Sequence, residues 1–330
     1  MSRLFTTVSA ITLLTGTAAL ADAPKVVADI APVHSLVSRV MDGIGKPDLI
    51  VPNETSPHDY RLRPADAEAL ENAGLVFWMG EGLTPWMERA LDSLSGDATV
   101  IELLALDETN TLPFREGALF DAHDHDDHDD HDDHDDHDDH DDHDDHDDHK
   151  DHDDHDDHNH SGHDPHAWLS PENAKLWLNI IASKLSVADP ENAASYFTNA
   201  AAGQAEIEDM VAEVSATLKP VKGGKFVVFH DAYQYFENDF DFYASGAISL
   251  SDASDPSPAR IAKVQRRIRD EGIQCVLAEP QFKQGLVATV MEGSEATASV
   301  IDPLGADIKP GPKLYTQLIK NMAKTLRDCL

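Results

Sequence analysis

Short apolar runs rich in Val, Ile and Phe alternate with segments whose apolar positions recur every three or four residues. In the first third of the chain, the runs predict strands at 25–30, 48–51, 75–79 and 99–103. The amphipathic segments between them predict helices at 34–41, 64–73 and 84–94. Alternation of this kind is typical of a parallel sheet that carries helices on both faces.

Helix signals resume at residue 170. Ser170 and Pro171 supply the N-cap and first-turn chemistry of one helix, and Asp189 with Pro190 starts another in the same way. From there to Pro220 the only helix breaker is Gly203, so 190–218 predicts a rod about 43 Å long. A rod of this length exceeds what one domain needs, which indicates a rigid helix that joins two lobes.

The remainder of the chain repeats the alternation of strand and helix. Strands are predicted at 225–229, 274–278 and 298–301, an extended segment at 242–250, and helices at 232–236, 257–270, 284–291 and 312–327. The predicted fold is therefore α/β, with two lobes of parallel-sheet α/β sandwich joined by one long rigid helix. We expect the lobes at 22–189 and 219–330 and the linking helix at 190–218.

The first 21 residues have the pattern of an export signal. Arg3 gives a short basic start, Val8 to Leu20 form an interrupted apolar stretch, and the small residues Ala19 and Ala21 fit the cleavage rule. The apolar stretch is too short to span a membrane, and no second run of spanning length follows. We expect a soluble exported protein in the periplasm after cleavage; an uncleaved anchor is the alternative.

An unusual segment at 121–163 consists almost entirely of Asp-Asp-His repeats, with 15 His, 23 Asp and one Lys. It offers almost no apolar side chain to bury, so we expect it to be disordered without a ligand. Imidazole suits Zn, Cu and Ni, so the segment predicts an auxiliary, lower-affinity metal site; a merely solvated acidic linker is the alternative. Its histidines are His123, His125, His128, His131, His134, His137, His140, His143, His146, His149, His152, His155, His158, His160 and His163.

Charge and cysteine content narrow the choice of partners. The net charge is −37, of which the repeat segment contributes −22, so the rest of the chain is also acidic. An acidic body argues against nucleic acid or an anionic membrane as a partner. Cys275 and Cys329 are the only cysteines, and an even pair in an exported protein predicts one disulfide; a thiolate metal site is the weaker alternative.

Outside the repeat only four histidines remain: His34, His58, His166 and His230. His58 and His230 come just after predicted strands, and His166 closes the repeat, so two facing α/β lobes can bring the three to one cleft. Three imidazoles form a zinc site with one coordination position left. Asp59, Asp164 and Asp231 lie near them in sequence as possible hydrogen-bond acceptors. His34, at a predicted helix start, is expected to serve local hydrogen bonding or packing.

Several short motifs resemble those of metal-binding solute receptors of ABC importers, cluster A-I. They are His58-Asp59-Tyr60 with Arg63-Pro64, Asp164-Pro165-His166-Ala167-Trp168, Phe229-His230-Asp231-Ala232-Tyr233 and Asp302-Pro303-Leu304-Gly305. The repeat segment, the run Ala278-Glu279-Pro280-Gln281-Phe282 and the two cysteines are similar to the zinc-uptake members, the ZnuA type. The resemblance covers essentially the whole mature chain.

The resemblance implies that metal is held between two lobes by His58, His166 and His230. The fourth position stays open: Asp302 matches a ligand of some relatives, and a water or Glu54 are the other candidates. Some zinc members place a Glu directly before the first His, whereas this chain has Pro57 there. Glu279 is open between a structural role and a metal role.

The expected function is that of a non-enzymatic receptor, which captures Zn(II) and delivers it to the membrane permease of an ABC importer. We expect a monomer, with periplasmic metallochaperones as possible further partners. The alternatives are a receptor for manganese or another transition metal, and a periplasmic zinc storage or buffer protein. A zinc hydrolase is disfavoured because the chain contains no H-E-x-x-H motif.

Overall fold

The computed structural model describes residues 23–115, 119–120, 162–249, 256–282 and 284–330. The predicted signal and the repeat up to residue 161 lie outside these ranges. Among the described residues, no helix is long and apolar enough to cross a membrane.

The N-terminal lobe is built on a four-stranded parallel sheet. Its elements in chain order are β1 (Val26–Ala28), α1 (Ala31–Val40), β2 (Asp48–Leu49), α2 (Pro64–Glu71), β3 (Leu75–Trp78), α3 (Pro85–Leu94) and β4 (Thr99–Glu102). The strand order is β2-β1-β3-β4. Every residue of β1 and β3 is buried, as expected for central strands of a sheet covered on both faces.

Two long helices follow the first sheet and lead to a second one. They are α4 (Pro171–Ala188) and α5 (Ala193–Leu218), separated by a 3₁₀ turn at Pro190–Asn192. The second lobe contains β5 (Phe226–His230), α6 (Gln234–Phe240), β6 (Ala247–Ser249), α7 (Pro258–Asp270), β7 (Cys275–Ala278), α8 (Gln284–Met291), β8 (Thr297–Val300) and α9 (Leu314–Cys329). Its sheet is also parallel, in the order β6-β5-β7-β8.

One continuous apolar core runs through both lobes. It contains Val27 and Phe77 of the first sheet, Leu277 of the second, and buried residues of α1, α4, α5 and α9 such as Trp177 and Leu318. A second, smaller core lies on the other face of the second sheet, under α7 and α8. The lobes are thus joined by shared packing as well as by α5, which favours small relative movements over wide opening.

The structure confirms the predicted fold class, and most element bounds agree within three residues. Two local details differ. His230 is the last residue of β5 and does not follow it, and the helix expected at 232–236 is α6, displaced toward the C-terminus. The long helix begins with a 3₁₀ turn before α5 proper.

The two cysteines form the disulfide that the sequence predicts. Cys275 is buried at the start of β7, and Cys329 is the last residue of α9. The bond therefore ties the final helix to the amino end of the second sheet.

Candidate metal-binding site

A small cleft lies where the carboxyl ends of the strands of both sheets meet. His230 ends β5, Glu279 directly follows β7, and His58 lies on the connection between β2 and α2. The cavity between them is about 20 Å³, which is room for one or two water-sized particles. The residues that line it are Ser56, Pro57, His58, His166, Trp168, His230, Glu279, Gln281, Phe282, Pro303 and Leu304.

His166 and His230 form the buried part of this site. Their Nε2 atoms face each other at 3.4 Å, and the side chains are 8% and 5% exposed. Two imidazole nitrogens that share one tetrahedral zinc at 2.0–2.1 Å lie about 3.3 Å apart. The spacing of these two rings therefore fits a single ion bound between them.

A buried carboxylate holds the far nitrogen of each of these rings. Asp164 Oδ1 lies 2.7 Å from His166 Nδ1, and Glu279 Oε1 lies 2.7 Å from His230 Nδ1. A neutral imidazole that donates its Nδ1 proton to a carboxylate has its lone pair on Nε2. Both lone pairs then point into the cleft at each other, an arrangement that a cation between them stabilises.

His58 lines the cleft from the loop between β2 and α2. Its ring centroid lies 5.8 Å from that of His166, and its side chain is only half-buried. The loop is fixed on one side by Trp86, whose Nε1 donates to Pro57 O at 2.7 Å. Within the described residues, no group of three or more His, Cys, Asp or Glu side chains already has the arrangement for holding a metal ion.

The candidates for a fourth ligand lie elsewhere. Asp302 accepts hydrogen bonds from the backbone N–H groups of the three residues Leu304, Gly305 and Ala306, and it is absent from the cleft lining. Glu54 is exposed and also absent from the lining. Glu279 contacts the imidazole of His230, which favours a supporting role for this acid.

The acidic residues next to the histidines serve different purposes. Asp164 supports His166 as the sequence suggested, whereas Asp231 pairs with Arg115 and Glu279 supports His230 in its place. Asp59 is exposed on its loop. Sequence reasoning missed Arg115, whose guanidinium bridges Asp231 and Glu237 and so compensates two buried acids close to the cleft.

Burial dominates the electrostatics around the cleft. It raises the pKa of Asp164 to about 7, against the opposing effects of the His166 backbone N–H and the nearby Arg115. Burial also raises the pKa of Asp231, and the hydrogen bonds from Arg115 oppose this shift. A cation bound by His166 on the other side of the ring favours the ionised form of Asp164 and hence its hydrogen bond to Nδ1.

Two residues on the cleft wall could be identified only in the folded protein. Phe282 stacks on Phe229 with centroids 4.6 Å apart and meets the His230 ring edge-on at 5.5 Å. Gln281 presents a buried Oε1 that has no hydrogen-bond partner within the described part of the chain. An unpartnered acceptor on the wall is suited to a water that occupies the fourth position of a bound ion.

Two further histidines of the described residues, His34 and His163, lie apart from the cleft. His34 is buried on α1, with Nε2 3.1 Å from Pro47 O and Nδ1 3.4 Å from Ser38 Oγ, and burial lowers its pKa. This confirms the expected local hydrogen bonding. His163 pairs with Pro113 in an antiparallel bridge at the base of the repeat segment. The other repeat histidines lie outside the described residues.

Two parallel-sheet lobes that share a long helix and close on a buried polar cleft define the solute-binding receptor class. Solved structures agree: "Crystal structure of ZnuA" has a TM-score of 0.71 at 22% identity and covers 93% of this chain and 99% of that one. A manganese complex, "Structure of the SBP FpvC from pseudomonas aeruginosa in complex with Mn2+", has a TM-score of 0.72 at 18% identity, with 93% and 98% covered.

The chain belongs to the ZnuA family, "Zinc-uptake complex component A periplasmic", whose model matches residues 26–329. The high-affinity zinc uptake system protein ZnuA of Brucella abortus (strain 2308) is 50% identical over 305 residues, 92% of this chain and 91% of the relative. The ZnuA of Paracoccus denitrificans (strain Pd 1222) is 47% identical over 319 residues, with 96% and 95% covered. The family consists of periplasmic solute-binding receptors of ABC importers, and its members are not enzymes.

Proposed function

We propose that this protein captures Zn(II) between His58, His166 and His230 and delivers it to the permease of an ABC importer. The observation that carries the proposal is the pair of buried imidazoles with Nε2 atoms 3.4 Å apart and a carboxylate behind each ring. The names of the relatives, which are zinc-uptake proteins, support the choice of cargo.

Capture needs no chemistry on the metal. Zn²⁺ displaces protons from the imidazoles, so affinity falls below roughly pH 6, where histidine becomes protonated. His166 and His230 form a prearranged half-site, and the His58 loop closes on the ion from the side of the first sheet. A water is the best-supported fourth ligand, because the carboxylate of Asp302 is already engaged by three backbone N–H groups.

The His/Asp-rich segment acts as a second, multivalent and weaker zinc collector. Its base is closed by Asp164 N, which donates to Leu112 O at 2.8 Å, so the segment leaves and re-enters the fold beside His166. Such tethering raises the local zinc concentration around the cleft.

The family supports a periplasmic setting, and the finer details that follow are part of the proposal. The chain works in the periplasm after removal of residues 1–21, as a monomer, and it meets the permease through its loaded form. Periplasmic metallochaperones are possible donors of the ion. These partners are proposals that binding measurements with purified permease test directly.

Manganese is the principal alternative cargo, because one structural relative is described in complex with Mn2+. Three imidazoles suit zinc better than manganese, which prefers carboxylate and carbonyl oxygens. A storage or buffer protein is the second alternative. It needs only the repeat, and the two carboxylate-supported histidines of the cleft count against it.

The test is zinc titration of His58→Ala, His166→Ala and His230→Ala by competition with a chelating dye. We expect each variant to lose most of the tight binding, while His34→Gln, which lies outside the cleft, binds like the wild type. Undiminished tight zinc binding in all three cleft variants would contradict the proposal. Parallel titrations with Mn²⁺ decide between the two cargoes.

A further inference from the structure

The loop after β8 has an unusual hydrogen-bond arrangement. The two carboxylate oxygens of Asp302 accept from the backbone N–H groups of Leu304 at 3.0 Å, Gly305 at 2.9 Å and Ala306 at 2.5 Å. Because these N–H groups point inward to one side chain, the loop is held in a single compact turn. The carbonyl oxygens of the same turn are then left to bind other partners.

A side chain from the first lobe uses those carbonyls. Asn53 Nδ2 donates to the carbonyl oxygens of Gly305, of Ala306 at 3.2 Å and of Ile308 at 2.9 Å. Its side chain is 6% exposed, so water does not compete effectively for these bonds. An amide has two protons, and here they are shared among three acceptors. This contact bridges the lobes across about 250 residues of sequence.

Asn53 belongs to the same loop as His58. The His58 end of that loop is bound to the first lobe through Trp86 and Pro57, and the Asn53 end is bound to the second lobe. Gln281 of the cleft wall also reaches this loop, with Nε2 3.5 Å from Asn53 O. The loop that carries the least buried of the three histidines therefore spans the two lobes.

We propose that Asn53, seated on the turn that Asp302 orders, is a positioning residue that keeps His58 within reach of the ion held by His166 and His230. The inference rests on the proposed function and deepens it. The contact sets how long the ion is retained, because release requires the His58 loop to move away from the other two rings. Asp302 acts through this turn and not as a ligand.

The first experiment measures zinc dissociation from Asn53→Asp by stopped flow with an excess of chelator. The substitution replaces an amide donor by a carboxylate that faces three carbonyl oxygens. The contact between residue 53 and the turn after Asp302 should therefore break. We expect dissociation to accelerate about tenfold. The matched control is Asn72→Asp, whose exposed amide bonds only Glu68 O of its own helix. Asn53→Ala, which adds no charge, should act in the same direction and serves if the aspartate variant folds poorly.

A double-mutant cycle with His58→Ala separates positioning from general stability. If Asn53 acts through His58, the Asn53→Asp effect on zinc affinity disappears once the imidazole is gone. An equal effect in both backgrounds overturns the inference, as does wild-type dissociation in both Asn53 variants. If His58→Ala alone left affinity unchanged, the proposed zinc site itself would be wrong, and this inference with it.

Asp302→Asn distinguishes a turn-forming role from a ligand role. If Asp302 acts through the turn, the double variant Asp302→Asn with Asn53→Asp loses little more zinc affinity than either single variant. Either change alone already breaks the contact between Asn53 and the turn. When Asp302 binds the ion directly, the two losses of affinity add, and the assignment of Asp302 to the turn is overturned.

Discussion

Two carboxylates decide which nitrogen of each buried imidazole faces the cleft. Glu279 accepts from His230 and Asp164 accepts from His166, both at 2.7 Å, so the Nε2 lone pairs are presented in advance. A carboxylate behind a ligand imidazole also raises its basicity and strengthens its bond to a metal. The affinity of the cleft should therefore depend on residues that do not touch the ion.

Glu279→Gln is expected to weaken zinc binding about 10- to 100-fold. The amide oxygen still accepts from His230 Nδ1, so the ring keeps its orientation, but the negative charge behind it is lost. Chelator competition at pH 7.5 measures the effect. The control is Glu88→Gln on the exposed face of α3, which should bind as tightly as the wild type; equal affinities in the two variants contradict a role for the Glu279 charge.

Asp29 is a buried acid whose ionisation opposes folding. It follows β1, is fully buried, and accepts 2.8 Å hydrogen bonds from the backbone N–H groups of Ile30 and Met79. Burial outweighs these bonds and raises its pKa from 3.8 to about 7. The native state thus holds a proton that the unfolded chain releases, so this group's contribution to stability is lost as pH rises from about 4 to 7.

Asp29→Asn should remove that pH dependence. The amide does not ionise. Its NH2 group replaces one of the two oxygens that accept from Ile30 and Met79, so the variant also loses a hydrogen bond, and that loss is the same at every pH. Three units of pKa shift correspond to about 4 kcal/mol, which the wild type loses relative to the variant between the two pKa values. Urea unfolding at pH 5 and pH 8 measures about two-thirds of this loss, because the part between pH 3.8 and pH 5 has already occurred at the lower pH. Other buried acids titrate in both proteins and cancel in the difference; a difference that does not change with pH refutes the assignment.

Sequence could predict the histidines that line the cleft and one supporting acid, Asp164, but it could not assign Glu279 to His230. His58 and His230 stand out because they follow apolar strands, where open α/β sheets bind ligands. Glu279 lies 49 residues from His230, and only the parallel pairing of β5 with β7 brings the two together. Asp231, the sequence neighbour of His230, is instead drawn to Arg115. Pairing between strands, and not proximity along the chain, selects the partner.

The long helix α5 contains one glycine, Gly203, which the sequence alone identifies only as a helix breaker. Gly203 has an ordinary helical backbone, so its value lies in its size. A Cβ built there would lie 3.0 Å from Leu178 of α4 and 3.1 Å from the Arg39 side chain of α1. The three helices therefore pack tightly around this glycine, which explains why a residue with poor helix propensity is tolerated here.

Gly203→Leu should lower the free energy of unfolding by about 1–3 kcal/mol or more, since the side chain must push the helices apart. Ala202→Leu is the matched control: it lies one position earlier on the exposed face of α5 and should change stability by less than about 0.5 kcal/mol. Chemical denaturation compares the two. Similar losses in both variants would show that the Gly203 contact is not a tight one.

Helix starts follow local sequence more closely than helix ends and short helices do. Ser170 and Ser257 each accept a hydrogen bond from the N–H three residues on, as N-cap chemistry predicts. The helix α6 has no such signal, and its displacement follows from the turn that carries Asp231 to Arg115 and from a left-handed residue, Asp241, at its end. Tertiary contacts place that element, and a single sequence does not contain them in readable form.

At the scale of the whole molecule, sequence indicated two lobes and a connecting rod, but it could not show the shared core. The amphipathic pattern of α9 predicts a helix, whereas its packing against α5 and α1 depends on how the lobes meet. The inter-lobe bonds of Asn53 are beyond sequence reasoning for the same reason. We expect a molecule joined in this way to close by moving loops, and we expect the auxiliary metal site that the sequence predicts to function independently of this core.

Replacing residues 121–161 by a short Gly-Ser turn tests whether the cleft binds zinc tightly without the repeat segment. The replacement leaves two backbone pairs at the base of the segment in place, Leu112 with Asp164 and Pro113 with His163. The change removes 22 of the 37 net negative charges along with all but one of the repeat histidines. We expect fewer zinc ions per molecule by elemental analysis, unchanged affinity of the tightest site, and slower loading at limiting zinc. If the tight site vanished with the segment, the cleft could not be an independent receptor, because its ligands would have to include the repeat.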